Sequence, residues 1–358
     1  MQTVRVIQYG VGAMGSNMVR LLQARPQAQL VGAIDRDPAK IGRDVGELAG
    51  LGKETGVRVR FPPQQVLDGV KADVALLATT AFLDEAFPQI MALLERRLSV
   101  VTICQELFFP LGVNSGKARE IDRQARRAGV AVTACGINPG FIMDIVPVLC
   151  SLPCWQIDRV SVQRVVDFSP YGPDEMRHIG AGLSERAFME GVRRGEIGHI
   201  GLLETAAMVA HCLGLQIDEL RQLKEPLLAR RPRETRFVRV PAGGVCGFRQ
   251  SVAGLKDGET ILDFRMVGIV APNQGEDGVE LGDHARIEGT PSVDIRIKEE
   301  IAQKGGLGTA GVAVNLMPRV LSAPPGFRTM NELALPHVWT GKPAPPPIER
   351  IIPCDAPA

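Results

Sequence analysis

The stretch Val4–Met18, VRVIQYGVGAMGSNM, constrains this chain more than any other. A short apolar run (Val4, Val6, Ile7) meets Gly10-x-Gly12-x-x-Gly15 and passes directly into Asn17-Met18-Val19-Arg20-Leu21-Leu22. That order predicts a strand, a tight turn and a helix. Gly10 permits the turn, Gly12 removes a side chain from the path of a pyrophosphate, and Gly15 lets helix and strand pack closely. The amides at the helix start, around Ala13 and Met14, carry partial positive charge toward the phosphates. A second apolar run, Gln29–Ile34, ends on Asp35, twenty residues past Gly15, where a carboxylate meets an adenine-ribose hydroxyl. The expectation is a dinucleotide site built from Gly10, Gly12, Ala13, Met14, Gly15 and Asp35. Arg36 either holds a 2′-phosphate or is a solvated surface group, so use of both NAD and NADP is expected.

The 358 residues favour two domains, since single cores seldom grow past about 250–300 residues. Basic and acidic residues balance at 41 and 40, for a net charge of +1. That leaves no electrostatic footprint for nucleic acid or an anionic membrane. Aromatic residues are 4%, too few for base-stacking platforms. No apolar window is long enough to span a bilayer, and the chain runs from its start into the first strand without a signal peptide. Seven cysteines without a C-x-x-C pair point to reduced thiols and a cytoplasmic location.

Strand and helix patterns alternate through the first half, the mark of a parallel sheet. Strands are expected at Val57–Phe61, Ala72–Ala78, Leu98–Cys104 and Val130–Cys135. Helices are expected around Ile41–Leu48, from Gln64, and over Phe82–Arg96 and Ser115–Ala128. After an apolar helix at Met143–Cys150 the pattern changes to period two. Ile157–Phe168, Arg236–Val240, Val245–Leu255, Thr260–Val270 and Ala285–Ile297 read as antiparallel strands, with helices at Glu185–Arg194 and Leu202–Leu213. A last apolar helix, Gly308–Leu321, contains Pro318, and a proline-rich tail follows at Pro343–Pro347. The fold class is therefore α/β: a Rossmann doubly wound parallel sheet plus an α+β domain with a mostly antiparallel sheet. The division expected is 1–140 for dinucleotide binding, 141–305 for substrate binding and dimerisation, and 306–358 packing back near the first domain.

In an open parallel sheet, ligands bind beyond the carboxyl ends of the strands. Thr79 and Thr80 occupy that position after one strand and Gln105-Glu106 after the next. Glu106 lies between two apolar patches, which raises a carboxylate's pKa toward the range useful for proton transfer. The competing reading is a glutamate that caps a loop or pairs with an arginine. Asn138-Pro139-Gly140-Phe141 brings an amide and a ring to the cleft edge, or simply connects the domains. His199 is the best placed of the five histidines for a substrate-side role. Thr309 and Asn315 are polar positions on the last apolar helix. Arg164, Arg177 and Lys256 are candidates for a substrate carboxylate but read better as surface charges. No Ser-His-Asp order, P-loop or metal cluster is visible.

Gly10-x-Gly12-x-x-Gly15, Ala33-Ile34-Asp35-x-Asp37-Pro38-x-Lys40, Cys104-Gln105-Glu106-Leu107, Gly136-Ile137-Asn138-Pro139-Gly140-Phe141-x-Met143-Asp144 and Gly308-Thr309-Ala310 through Asn315 to Pro318-Arg319-Val320 occur in this order. Together they resemble the 2,4-diaminopentanoate dehydrogenase family and the similar native amine dehydrogenases, of dihydrodipicolinate-reductase-like architecture. The resemblance implies NAD(P)-dependent oxidative deamination of an amine, or reductive amination of a ketone or aldehyde with ammonia. It also implies a homodimer, a site closed between the two domains, and Glu106 as the catalytic carboxylate. Gln105, Pro139, Phe141, His199 and Thr309 are then expected on the substrate, with Thr79, Thr80, Asn138 and Asn315 beside the coenzyme. The His-His motif of dihydrodipicolinate reductase itself is missing. Two alternatives are a reductase of C=N, C=C or C=O bonds acting without ammonia, and an NAD(P)-binding sensor without chemistry.

Overall fold

The glycine turn and the apolar runs flanking it build a parallel sheet. The computed structural model describes residues 3–112, 114–298 and 305–333. Strands β1 (Val4–Tyr9), β2 (Ala28–Ile34), β3 (Val59–Arg60), β4 (Val74–Leu77), β5 (Ser99–Thr102) and β6 (Ala131–Ala134) lie in the order β6-β5-β4-β1-β2-β3. Every pairing among them is parallel. The inner strands β4 and β5 are buried at all positions, which is why they read as unbroken apolar runs. Right-handed crossovers running outward in both directions from β1 and β4 put helix Ala13–Gln23 on one face and helices Leu83–Glu95 and Asn114–Ala128 on the other. The strand order reverses between β1 and β4, so a crevice opens at their carboxyl ends.

The segment after β2 departs from expectation. Only Val45–Leu48 is helical within Ile41–Leu48. Asp44, 2% exposed, accepts hydrogen bonds from the amides of Gly46, Thr55 and Gly56. Its carboxylate caps the helix and folds the following loop onto it, so the polar stretch is ordered by one acid rather than by a longer helix.

From β7 (Gln156–Asp167) onward the chain forms a second sheet with β8 (Glu219–Leu228), β11 (Val245–Lys256), β12 (Glu259–Ile269), β13 (Gly282–Thr290) and β14 (Val293–Ile297). A separate two-stranded ribbon joins β9 (Arg233–Glu234) and β10 (Arg239–Val240). The larger sheet runs β14-β13-β7-β12-β11-β8, antiparallel throughout except for the β7–β12 pair. The run Ala285–Ile297 is a hairpin of two strands turning through Pro291-Ser292. Strand β8, ELRQLKEPLL, has no apolar alternation strong enough to announce it. It is an edge strand, where charges and Pro226 are tolerated. Helix Pro173–His178 was also unforeseen, although Pro at its start, Asp174 and Glu175 in its first turn and Arg177 and His178 in its last are ordinary helix signals.

Two apolar cores result. One centres on the parallel sheet, the other on the buried face of the second sheet with helices Glu185–Arg193 and Leu202–Leu213. The last described helix, Gly305–Ser322, lies against helix Ala13–Gln23 and sends Ala313, Val314 and Met317 into the first core. Strand β15 (Gly326–Phe327) then extends the parallel sheet beside β6, its Phe327 amide held by Asp122 at 3.0 Å. The proline-rich Pro343–Pro347 lies outside the described residues.

Gly15 fixes the approach of the first helix to β1. A Cβ there would stand 1.9 Å from the Gly10 carbonyl oxygen and 2.9 Å from the buried Gln8 amide nitrogen. Gln8 itself donates to the Gly10 and Leu76 carbonyls at 2.9 and 3.3 Å, tying turn and sheet together. Gly15→Ala therefore lowers stability in urea unfolding by about 1–3 kcal/mol or more, the range for overpacking a filled site. An unchanged midpoint would show that the helix can retreat freely.

Candidate active site

A cavity of about 1240 Å³ opens between the carboxyl ends of the parallel strands and the buried side of the second sheet. Gly12, Ala13 and Met14 border it from the glycine turn, and Thr79 and Thr80 from the end of β4. Gln105 borders it beyond β5, Asn138 and Pro139 beyond β6, and Thr309 from the last helix. The second sheet contributes Arg164, Phe248 and Met266, with His199 from the loop before helix Leu202–Leu213.

The three glycines do different work. Gly10 has φ +90°, and a Cβ there would meet the Ala78 carbonyl oxygen at 2.5 Å. Gly12 has an ordinary φ of −83°, and a Cβ there would meet nothing within 4 Å. Its own chain does not demand a glycine at that point, and the space it leaves lies directly before a helix N-terminus. A diphosphate fits this cradle, held by backbone amides and the helix dipole.

Asp35, 8% exposed, is engaged with its own chain. It accepts from the Val11 amide at 2.8 Å and the Asp37 amide at 2.9 Å, and pairs with Lys40 at 3.1 Å. Burial alone would raise its pKa, but these donors outweigh burial and hold it below the usual carboxylate range. Asp35 thus anchors the glycine turn and does not border the cavity. Arg36 beside it is exposed. The Thr79 hydroxyl donates to Gln89 at 2.6 Å, and the Thr80 hydroxyl accepts from the Phe82 amide at 3.2 Å.

Glu106 stands on a short 3₁₀ turn, Gln105–Leu107, immediately behind the cavity wall. Its Oε2 accepts the Leu83 amide at 2.7 Å, at the start of helix Leu83–Glu95. The carboxylate is a helix cap in this geometry, and Gln105 rather than Glu106 borders the cavity. Across the junction lies Glu204, whose carboxyl is pushed up by burial and by the charge of Glu106. The neighbouring Cys104 thiol is raised to about 12 by burial, so it is a buried apolar group and not a nucleophile.

Asn138 and His199 meet in the cavity wall, Nδ2 to Nε2 at 3.1 Å. Gln250, fully buried, clamps the His199 backbone by accepting its N–H at 2.8 Å and donating to its carbonyl at 2.9 Å. Burial, with the charges of Arg164 and Lys224, pushes His199 down to about 3, so the ring is neutral. The turn holding Asn138 is secured from behind. Buried Asp144 accepts the Gly140 amide at 2.8 Å and the Ile145 amide at 2.6 Å, with the Thr205 hydroxyl at 3.5 Å. Without a cationic partner among these contacts, burial raises Asp144 to about 6. Phe141 packs on the second core, and half-buried Asn315 lies along the last helix, both outside the cavity lining.

Arg164 corrects the sequence reading. It is 3% exposed, not a surface charge, and Nη1 donates to Asp283 Oδ1 at 2.7 Å. Its place follows from register. Asp283, Arg164, Met266, Gln250 and Lys224 are successive cross-strand partners on β13, β7, β12, β11 and β8. One row of the sheet's inward face is therefore largely polar, among Val160, Val162, Val166, Phe264 and Val252. The signal was present in the sequence as polar residues at inward positions of alternating strands, but the register that aligns them was not.

Residues 141–345 match the family described as the 2,4-diaminopentanoate dehydrogenase C-terminal domain. Residues 4–102 match the N-terminus of dihydrodipicolinate reductase. A 2,4-diaminopentanoate dehydrogenase from Acetoanaerobium sticklandii is 31% identical over 352 residues, 95% of this chain and 96% of its own. The chain belongs to the 2,4-diaminopentanoate dehydrogenase family. Within reach of that family, an amine dehydrogenase from Streptomyces virginiae is 27% identical, covering 93% of this chain and 96% of its own. The solved amine dehydrogenase of Mycobacterium smegmatis superposes with a TM-score of 0.83 at 25% identity, over 94% of this chain and 98% of that one. GenD2 from gentamicin A biosynthesis, solved with NAD, shares the fold at 16% identity and a TM-score of 0.54, over 93% of this chain and 90% of its own.

Two outcomes follow from the geometry. Gly12→Ala keeps the thermal midpoint, since its methyl meets no protein atom, but weakens NADH and NADPH binding by tenfold or more in a fluorescence titration. Unchanged affinity would place the phosphates elsewhere. For His199 the folded pKa lies below the ordinary 6.5, so the folded chain resists a proton that the unfolded chain takes up. Its stabilisation is present above pH 6.5 and is lost on acidification at about 1.4 kcal/mol per pH unit. Urea unfolding of wild type and His199→Gln between pH 7.5 and 5 shows their stability difference changing at that rate below pH 6.5. A constant difference would mean the ring titrates normally.

Proposed function

We propose that this chain is an NAD(P)-dependent amine dehydrogenase, interconverting a ketone or aldehyde plus ammonia with the corresponding amine. The observation that carries the reading is membership of a dehydrogenase family over nearly the whole chain, joined to a cavity bordered by both the glycine cradle and the Asn138-Pro139 turn. Gly10, Gly12, Ala13, Met14 and Gly15 hold the diphosphate, and Asp35 fixes their turn. Arg36, exposed beside Asp35, supports use of NADP as well as NAD. Thr79, Thr80 and Asn138 flank the coenzyme and Gln105, Pro139, His199 and Thr309 shape the substrate side, with Asn315 and Phe141 behind them, outside the cavity lining. Bound there, the nicotinamide supplies hydride to an iminium carbon in one direction and accepts it in the other.

Glu106 is proposed to move the protons: it frees ammonia from ammonium and returns a proton as water leaves the carbinolamine. What supports this is its position after β5, one residue beyond cavity-bordering Gln105, and the family motif around it. Its hydrogen bond to Leu83 occupies Oε2, leaving Oε1 as the oxygen that exchanges protons. The same resemblance supports a homodimer and a division into residues 1–140, 141–305 and 306–358. The unpaired thiols at Cys104, Cys135, Cys150, Cys154, Cys212 and Cys246 support a reducing, cytoplasmic setting.

The purified protein with NADH or NADPH, ammonium and a panel of small ketones and aldehydes oxidises the coenzyme only when ammonium is present. Glu106→Gln keeps an oxygen for the Leu83 amide, so it retains the melting temperature while kcat falls by about a hundredfold or more, within the range for general acid–base catalysis. Glu106→Ala loses both. Full activity in Glu106→Gln would reduce the residue to a helix cap, and turnover independent of ammonium would favour a simple reductase.

A further inference from the structure

The loop that carries His199 is pinned to the second sheet by side chains instead of by a neighbouring strand. Gln250, fully buried on β11, accepts the His199 N–H at 2.8 Å and donates to the His199 carbonyl at 2.9 Å. Its cross-strand partner on β8, Lys224, donates to the Ile197 carbonyl at 3.0 Å. One carboxamide therefore supplies both backbone partners of a single residue, as an adjacent strand would. Gly198 and Gly201 flank the loop at φ +109° and +96°, so the local chain does not fix its course by itself.

The ring has little else to orient it. Its Nε2 meets Asn138 Nδ2 at 3.1 Å, and the buried Nδ1 has no partner among the described residues. A histidine whose aim matters is commonly held through its second ring nitrogen, by a carbonyl or a carboxylate. Without that hold, the ring's aim follows from its backbone, and the backbone's from Gln250. The Asn138 carboxamide is in the same position. Asp144 holds the backbone of its turn at Gly140, but Oδ1 lacks a partner among the described residues. Nδ2 meets only His199 and the Met266 sulfur, the latter at 3.5 Å, among those residues. With Nδ2 donating to both, Nε2 is the acceptor and the ring proton sits on Nδ1. Burial keeps the ring neutral, so Nε2 remains an acceptor at neutral pH. The contacts thus run in single file from the sheet to the cavity wall, Gln250 to His199 to Asn138.

We propose that Gln250 is a positioning residue of this site: its grip on the His199 backbone aims the ring at Asn138 and so sets the Asn138 carboxamide in the cavity wall beside the coenzyme. The proposal rests on the amine dehydrogenase reading for the reaction it affects, but not for the relay itself. Gln250 does not border the cavity, so its effect reaches the chemistry through His199. A misplacement of about 1 Å costs up to about a hundredfold in rate, because reacting atoms must meet within a narrow distance and angle. The diphosphate cradle at Gly10, Gly12 and Gly15 shares none of these contacts, so coenzyme affinity is set apart from them.

The test is a double-mutant cycle, read as kcat with NADH, ammonium and the best ketone or aldehyde of the panel. Gln250→Met lowers kcat by about tenfold to a hundredfold while the NADH dissociation constant barely moves. His199→Ala loses as much, and the double variant loses no more, because Gln250 acts through His199. A residue that only satisfies buried backbone groups would impose the same loss with or without the ring. That additive outcome, or an unchanged kcat in Gln250→Met, overturns the proposal. Gln250→Asn, shorter by one methylene, is run beside it, so that the cycle can be read even where the methionine variant does not fold. Nitrogen-15 spectroscopy of the histidine rings, assigned by the signal lost in His199→Ala, gives a readout besides activity. Wild type shows one neutral tautomer of His199 with the proton on Nδ1, and the Gln250 variants average the two neutral tautomers. Retention of the wild-type tautomer in those variants overturns the proposal whatever the rates. If wild type turns over no ketone or aldehyde, the amine dehydrogenase assignment fails, yet a tautomer lost with Gln250 still supports the relay.

Discussion

The rest of the structure depends on a close approach between two pieces of backbone: the first helix and the turn that launches it. With Gly15 set against the Gly10 carbonyl, no side chain can separate helix from strand, and the helix N-terminus is forced to point at the crevice where the strand order reverses. Gln8 and Asp35 then lock the turn from below and from the side, through the Gly10 carbonyl and the Val11 amide. These contacts spend two polar side chains on shape. What remains open to a ligand is the empty space over Gly12.

The second constraint is the seam between the two sheets. Asp144 reaches from the Asn138-Pro139-Gly140 turn to Thr205 on helix Leu202–Leu213, linking the end of β6 to the second core. Gly201 is part of the same seam, since a Cβ there would lie 2.8 Å from the Pro139 ring and 3.5 Å from Gln105. Nearby, Glu204 feels the charge of Glu106, while the second sheet carries Arg164 and Lys224. Two carboxyls thus lie behind the cavity wall near Gln105, and Arg164 borders the cavity from the second sheet. That polarity suits a reaction which must manage protons at one end and hold a molecule still at the other.

How much of this was legible depends on the range of the contacts involved. The glycine turn, the buried strands of the parallel sheet and the alternating strands of the second sheet follow from residues next to one another. Edge strand β8 was hidden because an edge needs few apolar residues. Arg164 was misread because burial of a charge is set by its cross-strand neighbours, Asp283 and Met266, more than a hundred positions away in sequence. Glu106 is expected to face the cavity, but its Oε2 accepts the amide of Leu83, 23 residues earlier, a contact no local pattern reveals.

The sequence by itself determined the fold class and the glycine turn at the end of β1, because both rest on spacing within a turn or a strand and on where glycine alone can fit. Only the tertiary structure decided which polar groups share the cavity. Sheet register and the packing of helix Leu202–Leu213 bring Asn138, His199, Gln250 and Arg164 together from four separate elements. Burial and charge at such a meeting point are properties of the assembled neighbours, and no single segment carries them.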